Sequence, residues 1–205
     1  IDNELVICTN CRHQLPVTNF HFEASETVKK IVYGRVKLEN ATALLHFSKK
    51  GIVQQLLHNL KYRGHEEISD FFGKWLGAEL SEMKVFKDVD VVIPVPLYKT
   101  KLRKRGYNQV AKFGKEIAKA LSADYNDTVL VKTKATKTQV SKGRLMRWND
   151  DGALFNISDT VSLKGKHVLL VDDIITTGAT VEACASVLFK IDNIKLSLAT
   201  IAIAD

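Results

Sequence analysis

The chain has 205 residues, 45% of them hydrophobic and 26% charged, with a formal net charge of +7. That composition supplies one sizeable core, and no apolar run approaches the ~20 residues of a bilayer-spanning helix, which excludes a disordered chain and a helical membrane protein. Three cysteines are too few for a disulfide scaffold and no basic, then apolar, leader opens the chain, so a cytoplasmic protein is expected.

The first 25 residues lack periodicity and hold Cys8, Cys11, His13 and Pro16 close together. Residues 1–35 are read as a small N-terminal Cys-x-x-Cys segment, and 36–205 as the main domain. "ATALLHF" (41–47) predicts a strand. In "GIVQQLLHNLKY" the residues Ile52, Val53, Leu56, Leu57 and Leu60 share one helical face, and a second amphipathic helix is predicted over 66–82. "DVVIPVP" (90–96) reads as a buried strand stopped by prolines, which cannot donate a ladder hydrogen bond.

A helix is predicted over 107–122, a strand over 128–132, and a long polar loop over 133–150. "KHVLLVDD" (166–173) carries the clearest strand signal, followed by a helix over 178–190 and a last strand over 194–203. Strands alternating with helices predict a mainly parallel α/β sheet covered on both faces, with ligands bound beyond the carboxyl ends of the strands. Thirteen of the 30 basic residues fall in two acid-free segments, 99–115 and 132–147. Such clustering suits a polyanionic or polyphosphate partner, and equally a solvated basic surface.

"LLVDDIITTGAT" (169–180) holds the chemistry. An apolar strand delivers Asp172 and Asp173 to the rim of the core, and the next residues turn into a helix. Unpaired backbone N–H groups and the helix dipole favour an anion there, Thr176, Thr177 and Thr180 add hydroxyls, and Gly178 permits close approach. Neither a Walker loop nor a G-x-G-x-x-G is present. Carboxylates beside a phosphate turn suit a ribose 5-phosphate, with hydroxyls to Asp172 and Asp173 and phosphate to Thr176–Thr180. A helix cap followed by a surface acid is the plainer alternative.

The Asp-Asp-x-x-Thr-Thr-Gly-x-Thr pattern resembles the binding signature of the type I phosphoribosyltransferases, which use 5-phosphoribosyl 1-pyrophosphate (PRPP). "CTNC" (8–11), "KYRGH" (61–65), "IPVPLYKTKLRKRGYNQ" (93–109) and "TKTQVSKGRLMRWND" (136–150) occur in the order seen in the ComF family, so the resemblance covers nearly the whole chain. It implies a type I phosphoribosyltransferase fold with a mobile hood loop, PRPP and Mg²⁺ as ligands, and Asp172, Asp173, Thr176, Thr177, Gly178, Ala179 and Thr180 as the PRPP motif. The catalytic role falls to Asp172 and Asp173.

The resemblance also implies that Val95, Pro96, Leu97 and Tyr98 form the pyrophosphate loop, with a cis or strained peptide expected near the prolines. Arg103 and Arg105 would assist it, with Tyr107, Asn108 and Gln109 completing the motif. A basic helix start with a capping Asn is the alternative for this segment. Gln139, Arg144, Arg147 and Asn149 would belong to the hood. Cys8 and Cys11 resemble half of a zinc ribbon whose other Cys-x-x-Cys lies upstream in the family, so Zn²⁺ is expected only with those cysteines, or with His13 or His21 in their place. The acceptor of phosphoribose is not identifiable. A non-catalytic role in competence, with single-stranded DNA and helicase or recombination proteins as partners, is the second functional expectation.

Overall fold

A computed structural model describes residues 6–23, 26–134 and 153–204. The elements in chain order are α1 (Thr9–His13), α2 (Phe20–Glu23), α3 (Glu26–Ile31), β1 (Ala41–Phe47), α4 (Ile52–Tyr62) and α5 (Glu67–Glu82). Then come β2 (Val91–Pro94), α6 (Lys99–Arg105), α7 (Ala111–Leu121), β3 (Asp124–Tyr125), β4 (Leu130–Lys132), β5 (Phe155–Ile157), β6 (His167–Ile175), α8 (Ala179–Leu188) and β7 (Lys195–Ala204). Among the described residues no helix is long and apolar enough to cross a membrane.

Five strands form one sheet in the order β1-β7-β6-β2-β3, every pair parallel. Because both faces are covered, the central strand β6 needs apolar residues without alternation, as its sequence supplies. Successive side chains go to opposite layers. Val168 and Leu170 join Val28, Val32, Cys184 and Leu188 on one face. Leu169 and Val171 join Leu60, Phe72, Leu76, Phe113 and Ile117 on the other. The predicted parallel sheet with two helical layers is therefore observed.

Four local expectations are corrected. The strand over 128–132 is real from Leu130, but it pairs antiparallel with β5 in a separate two-stranded sheet. The edge of the main sheet is taken instead by β3, which pairs with β2. The predicted helix over 107–122 begins at Ala111, and the basic stretch before it is its own helix, α6, which stops at Gly106 (φ 86°). β6 continues two residues beyond the carboxylates, because Ile174 and Ile175 still pair with Ala202 and Ile203 of β7. The expected cis peptide is not seen: among the described residues every peptide bond is trans, and β2 simply ends at Pro94.

Helices α5 and α7 approach unusually closely at Gly73. A Cβ there would lie 2.8 Å from both the Cα and the carbonyl oxygen of Phe113, backbone atoms that cannot rotate aside. Gly73→Ala gains about 1 kcal/mol of helix propensity. The overlap is larger, so a net loss on the order of 1–3 kcal/mol is expected, seen as a lower urea midpoint at constant m-value. An unchanged or raised midpoint would show that the two helices separate freely.

Candidate functional site

β2 and β6 run parallel and end on the same rim of the sheet, where Val95 N–H donates to the Val171 carbonyl at 2.9 Å. This rim collects most of the predicted site residues. Asp172 and Asp173 are both buried, at 9% and 4% exposure. Thr176, Thr177, Ala179 and Thr180 are exposed around the buried Gly178, whose φ of 75° turns the chain into α8. A small pocket of about 50 Å³ is lined by Asp172 and residues 174–181. A larger open depression of about 560 Å³ lies along α4, among Lys50, Gln54, His58, Asn59 and Arg63, and shares no residue with it.

The two carboxylates leave the strand on opposite sides. Asp173 accepts from Lys61 Nζ at 2.7 Å and from Gln109 Nε2 at 3.1 Å, both on the same oxygen, Oδ2. Asp172 faces the other layer, where Cys184 of α8 and Lys132 of β4 interact with it electrostatically. Its Oδ1 accepts the Asp173 backbone N–H at 2.8 Å. Burial pushes the Asp172 carboxyl up to about 7, the neighbouring Asp173 adds to this, and Lys61 and Lys132 offset part of it. Burial likewise raises the Cys184 thiol, consistent with a core residue.

The turn itself is gripped from the N-terminal side. Arg35 donates to the Thr177 carbonyl at 2.8 Å and to Glu182 Oε2 of α8 at 2.7 Å. Val32 stands directly against Gly178, where a Cβ would come within 2.4 Å of its Cγ1. The Thr177 hydroxyl accepts from the Ala179 N–H at 3.4 Å.

Val95 is buried, and Pro96, Leu97 and Tyr98 are half-buried after β2, with Tyr98 opening α6. Arg103 is exposed on α6. Arg105 instead donates to Gln109 Oε1, with its guanidinium carbon 5.6 Å from the Tyr62 ring centroid. Asn108 bonds the Val95 carbonyl at 3.0 Å and accepts the Val110 N–H at 3.2 Å, so it ties the loop after β2 to the start of α7. Gln139, Arg144, Arg147 and Asn149 lie outside the described residues.

Cys8 caps α1, its Sγ accepting the Cys11 N–H at 3.4 Å. His21 points into the fold, with Nδ1 at 3.1 Å from Thr42 Oγ1 and Nε2 at 3.0 Å from Glu79, so both ring nitrogens are engaged away from the cysteines. Among the described residues no group of three or more His, Cys, Asp or Glu is placed to hold a metal ion.

The sequence reading did not single out Lys61, Lys132 or Arg35 as site residues. Lys61 had a signal, as the first residue of "KYRGH", but nothing in the sequence says what it faces.

The Phosphoribosyl transferase domain profile matches residues 111–204, which include β6, the turn and α8. DNA utilization protein YhgH of Escherichia coli O157:H7 is 30% identical over 139 residues, spanning 66% of this chain and 60% of that protein. Competence protein F of Haemophilus influenzae is 29% identical over 103 residues, 50% of this chain and 45% of that protein. Competence protein ComFC of Bacillus subtilis is 25% identical over 140 residues, 68% of this chain and 54% of that protein. The aligned part thus spans about 60% of the length of the YhgH proteins. These matches and the parallel sheet, with its carboxylate-bearing rim, agree on one fold, that of the type I phosphoribosyltransferases.

Proposed function

The chain belongs to the ComF family, and from that premise we propose that it binds PRPP with Mg²⁺ and transfers phosphoribose to a nitrogenous acceptor, releasing pyrophosphate. The observation that carries this is the junction of β6 and α8: two buried carboxylates run straight into an exposed threonine turn at a helix N-terminus. Carboxylate oxygens accept from ribose hydroxyls, and the turn's N–H and hydroxyl groups donate to the 5-phosphate.

In the reaction the C1–oxygen bond to pyrophosphate breaks, the electron pair leaving with pyrophosphate. The acceptor nitrogen forms the new bond to C1 and gives up its proton. Asp172, with a carboxyl titrating near neutrality, is suited to take that proton. Positioning and charge stabilisation do most of the work in such a displacement. Asp172 and Asp173 are hard oxygen donors of the kind Mg²⁺ takes, and the raised Asp172 carboxyl marks a place where a cation or a hydroxyl donor is favourable. Mg²⁺ supplies charge neutralisation for the departing pyrophosphate. Cys8 and Cys11 offer two of the four ligands of a structural zinc, so a zinc site here requires ligands from outside the described residues.

Titration calorimetry with PRPP and Mg²⁺ tests the reading. Wild type should bind saturably, and Asp172→Asn with Asp173→Asn should weaken binding by at least ~100-fold. Absence of heat with wild type would remove the proposal.

A second reading rests on α6, whose Lys99, Lys101, Arg103 and Lys104 are all exposed. It makes the protein a PRPP-sensing or non-catalytic competence factor that binds single-stranded DNA and helicase or recombination partners. Its mark is strongly salt-dependent DNA binding that Lys101→Ala with Arg103→Ala reduces, in a protein that releases no pyrophosphate.

A further inference from the structure

The segment "KYRGH" has no part in the reading above, yet its first residue ends inside the site. Lys61 is the penultimate residue of α4. Its neighbours Leu57 and Leu60 are buried against the sheet, while its own ammonium reaches over the end of β6 to Asp173 Oδ2. The pair is largely withdrawn from water, with side-chain exposures of 23% for Lys61 and 6% for Asp173.

Around this ion pair the contacts close into a ring. Gln109 Nε2 donates to the same Asp173 oxygen. Gln109 Oε1 accepts from Arg105, and the Arg105 guanidinium lies over the ring of Tyr62, the residue next to Lys61. Tyr107 donates its hydroxyl proton to the Leu60 carbonyl. Ser69 of α5 donates to the Gln109 carbonyl at 2.7 Å and accepts the Phe113 N–H at 3.0 Å, which pins Gln109 from behind. Three segments distant in sequence, 60–62, 105–109 and 173, thus meet on one carboxylate oxygen.

We propose that Lys61 is a positioning residue of the phosphoribose site: it holds Asp173 by Oδ2, together with Gln109, and leaves Oδ1 to accept from a ribose hydroxyl. The inference rests on the PRPP reading of the site. Among the described residues no donor is bonded to Asp173 Oδ1. A carboxylate fixed by one oxygen is pre-aimed with the other, so ligand binding incurs less ordering cost.

The test compares wild type, Lys61→Met and Lys61→Arg by PRPP·Mg²⁺ calorimetry at one pH. Outer groups that orient a ligating side chain typically matter by about 10–100-fold, and that loss is expected for Lys61→Met. Lys61→Arg keeps a cationic donor and should restore most of the affinity. Unchanged affinity in Lys61→Met overturns the proposal, as does a loss that Lys61→Arg does not recover.

A double-mutant cycle in ligand-free protein separates this inference from the function it rests on. If wild type does not bind PRPP the functional reading fails. A coupling between Lys61→Met and Asp173→Asn in urea unfolding then still supports the hold on Asp173, and additive losses overturn it. Wild type alone decides if Lys61→Met does not fold. Its Lys61 ammonium protons should be protected from exchange by the bond to Asp173, and exchange as fast as that of a solvated lysine overturns the hold.

Discussion

Asp172→Asn should melt at a higher temperature than wild type at pH 8, although it loses PRPP binding. The Asp172 side chain is buried, and its carboxyl is pushed up to about 7 by burial first and by Asp173 second. In the unfolded chain it titrates near ~3.9. Between about pH 4 and 7 the folded state therefore holds a proton that the unfolded state has lost. Stability contributed by this group is full below the unfolded value, falls as pH rises through the window, and is absent above about 7.

Asn carries no charge and keeps an oxygen for the Asp173 N–H now bonded at 2.8 Å. The gain at pH 8 is expected to be on the order of 2–4 kcal/mol, or roughly 5–10 °C, and to vanish near pH 4. Calorimetric melting across pH 4–8 measures it. A difference that does not depend on pH, or a variant less stable at pH 8, would show that the carboxyl is relieved inside the fold. The predicted trade is the one seen where a site is held ready for a ligand at the expense of stability.

How far the sequence spoke depended on whether a feature is local. The run Val168–Val171 is continuously apolar because β6 is covered on both faces, and that alone identifies a central parallel strand. The carboxylates, the threonines and Gly178 are contiguous, so the rim could be read without a structure. α6 could not be read this way, since none of its residues is buried and it carries no apolar stripe. β3 is only two residues, Asp124 and Tyr125, too short to show a period, and it is fixed as a strand by lying beside β2. "TVLVK" has strand propensity whichever sheet it joins, and its place in the small sheet is fixed by β5, some 25 residues later.

Lys61 is the clearest case of what sequence leaves out. One helical position beyond a core leucine, a lysine ordinarily reads as a solvated charge. Only the tertiary placement of the end of α4 brings its ammonium to Asp173. Arg35 is similar, because its partners Thr177 and Glu182 lie more than 140 residues away in the chain. The motif named the ligand-facing groups, whereas the groups that aim and brace them became visible only through tertiary contact.

Gly178→Ala carries the second large expectation, a loss on the order of 2–4 kcal/mol in stability together with at least ~10-fold weaker PRPP binding. Two separate effects add. The φ of 75° is left-handed and costs an L side chain about 1–2 kcal/mol. The new methyl would also lie 2.4 Å from Val32 Cγ1, with Ile31 Cγ2 at 3.4 Å and Arg35 Nη2 at 3.5 Å. The turn cannot withdraw easily, since Arg35 holds the Thr177 carbonyl on one side and Glu182 of α8 on the other. Relief therefore requires moving the end of α3 or rotating the turn, and rotation re-aims the N–H groups offered to phosphate.

A double-mutant cycle separates the two effects. Val32→Ala opens space for the methyl, so Gly178→Ala should cost less in that background by the steric part, leaving the left-handed cost behind. Urea unfolding and PRPP calorimetry on all four proteins measure both quantities. Additive losses would mean that Val32 does not brace the turn. A Gly178→Ala protein as stable as wild type would mean that the turn takes another path.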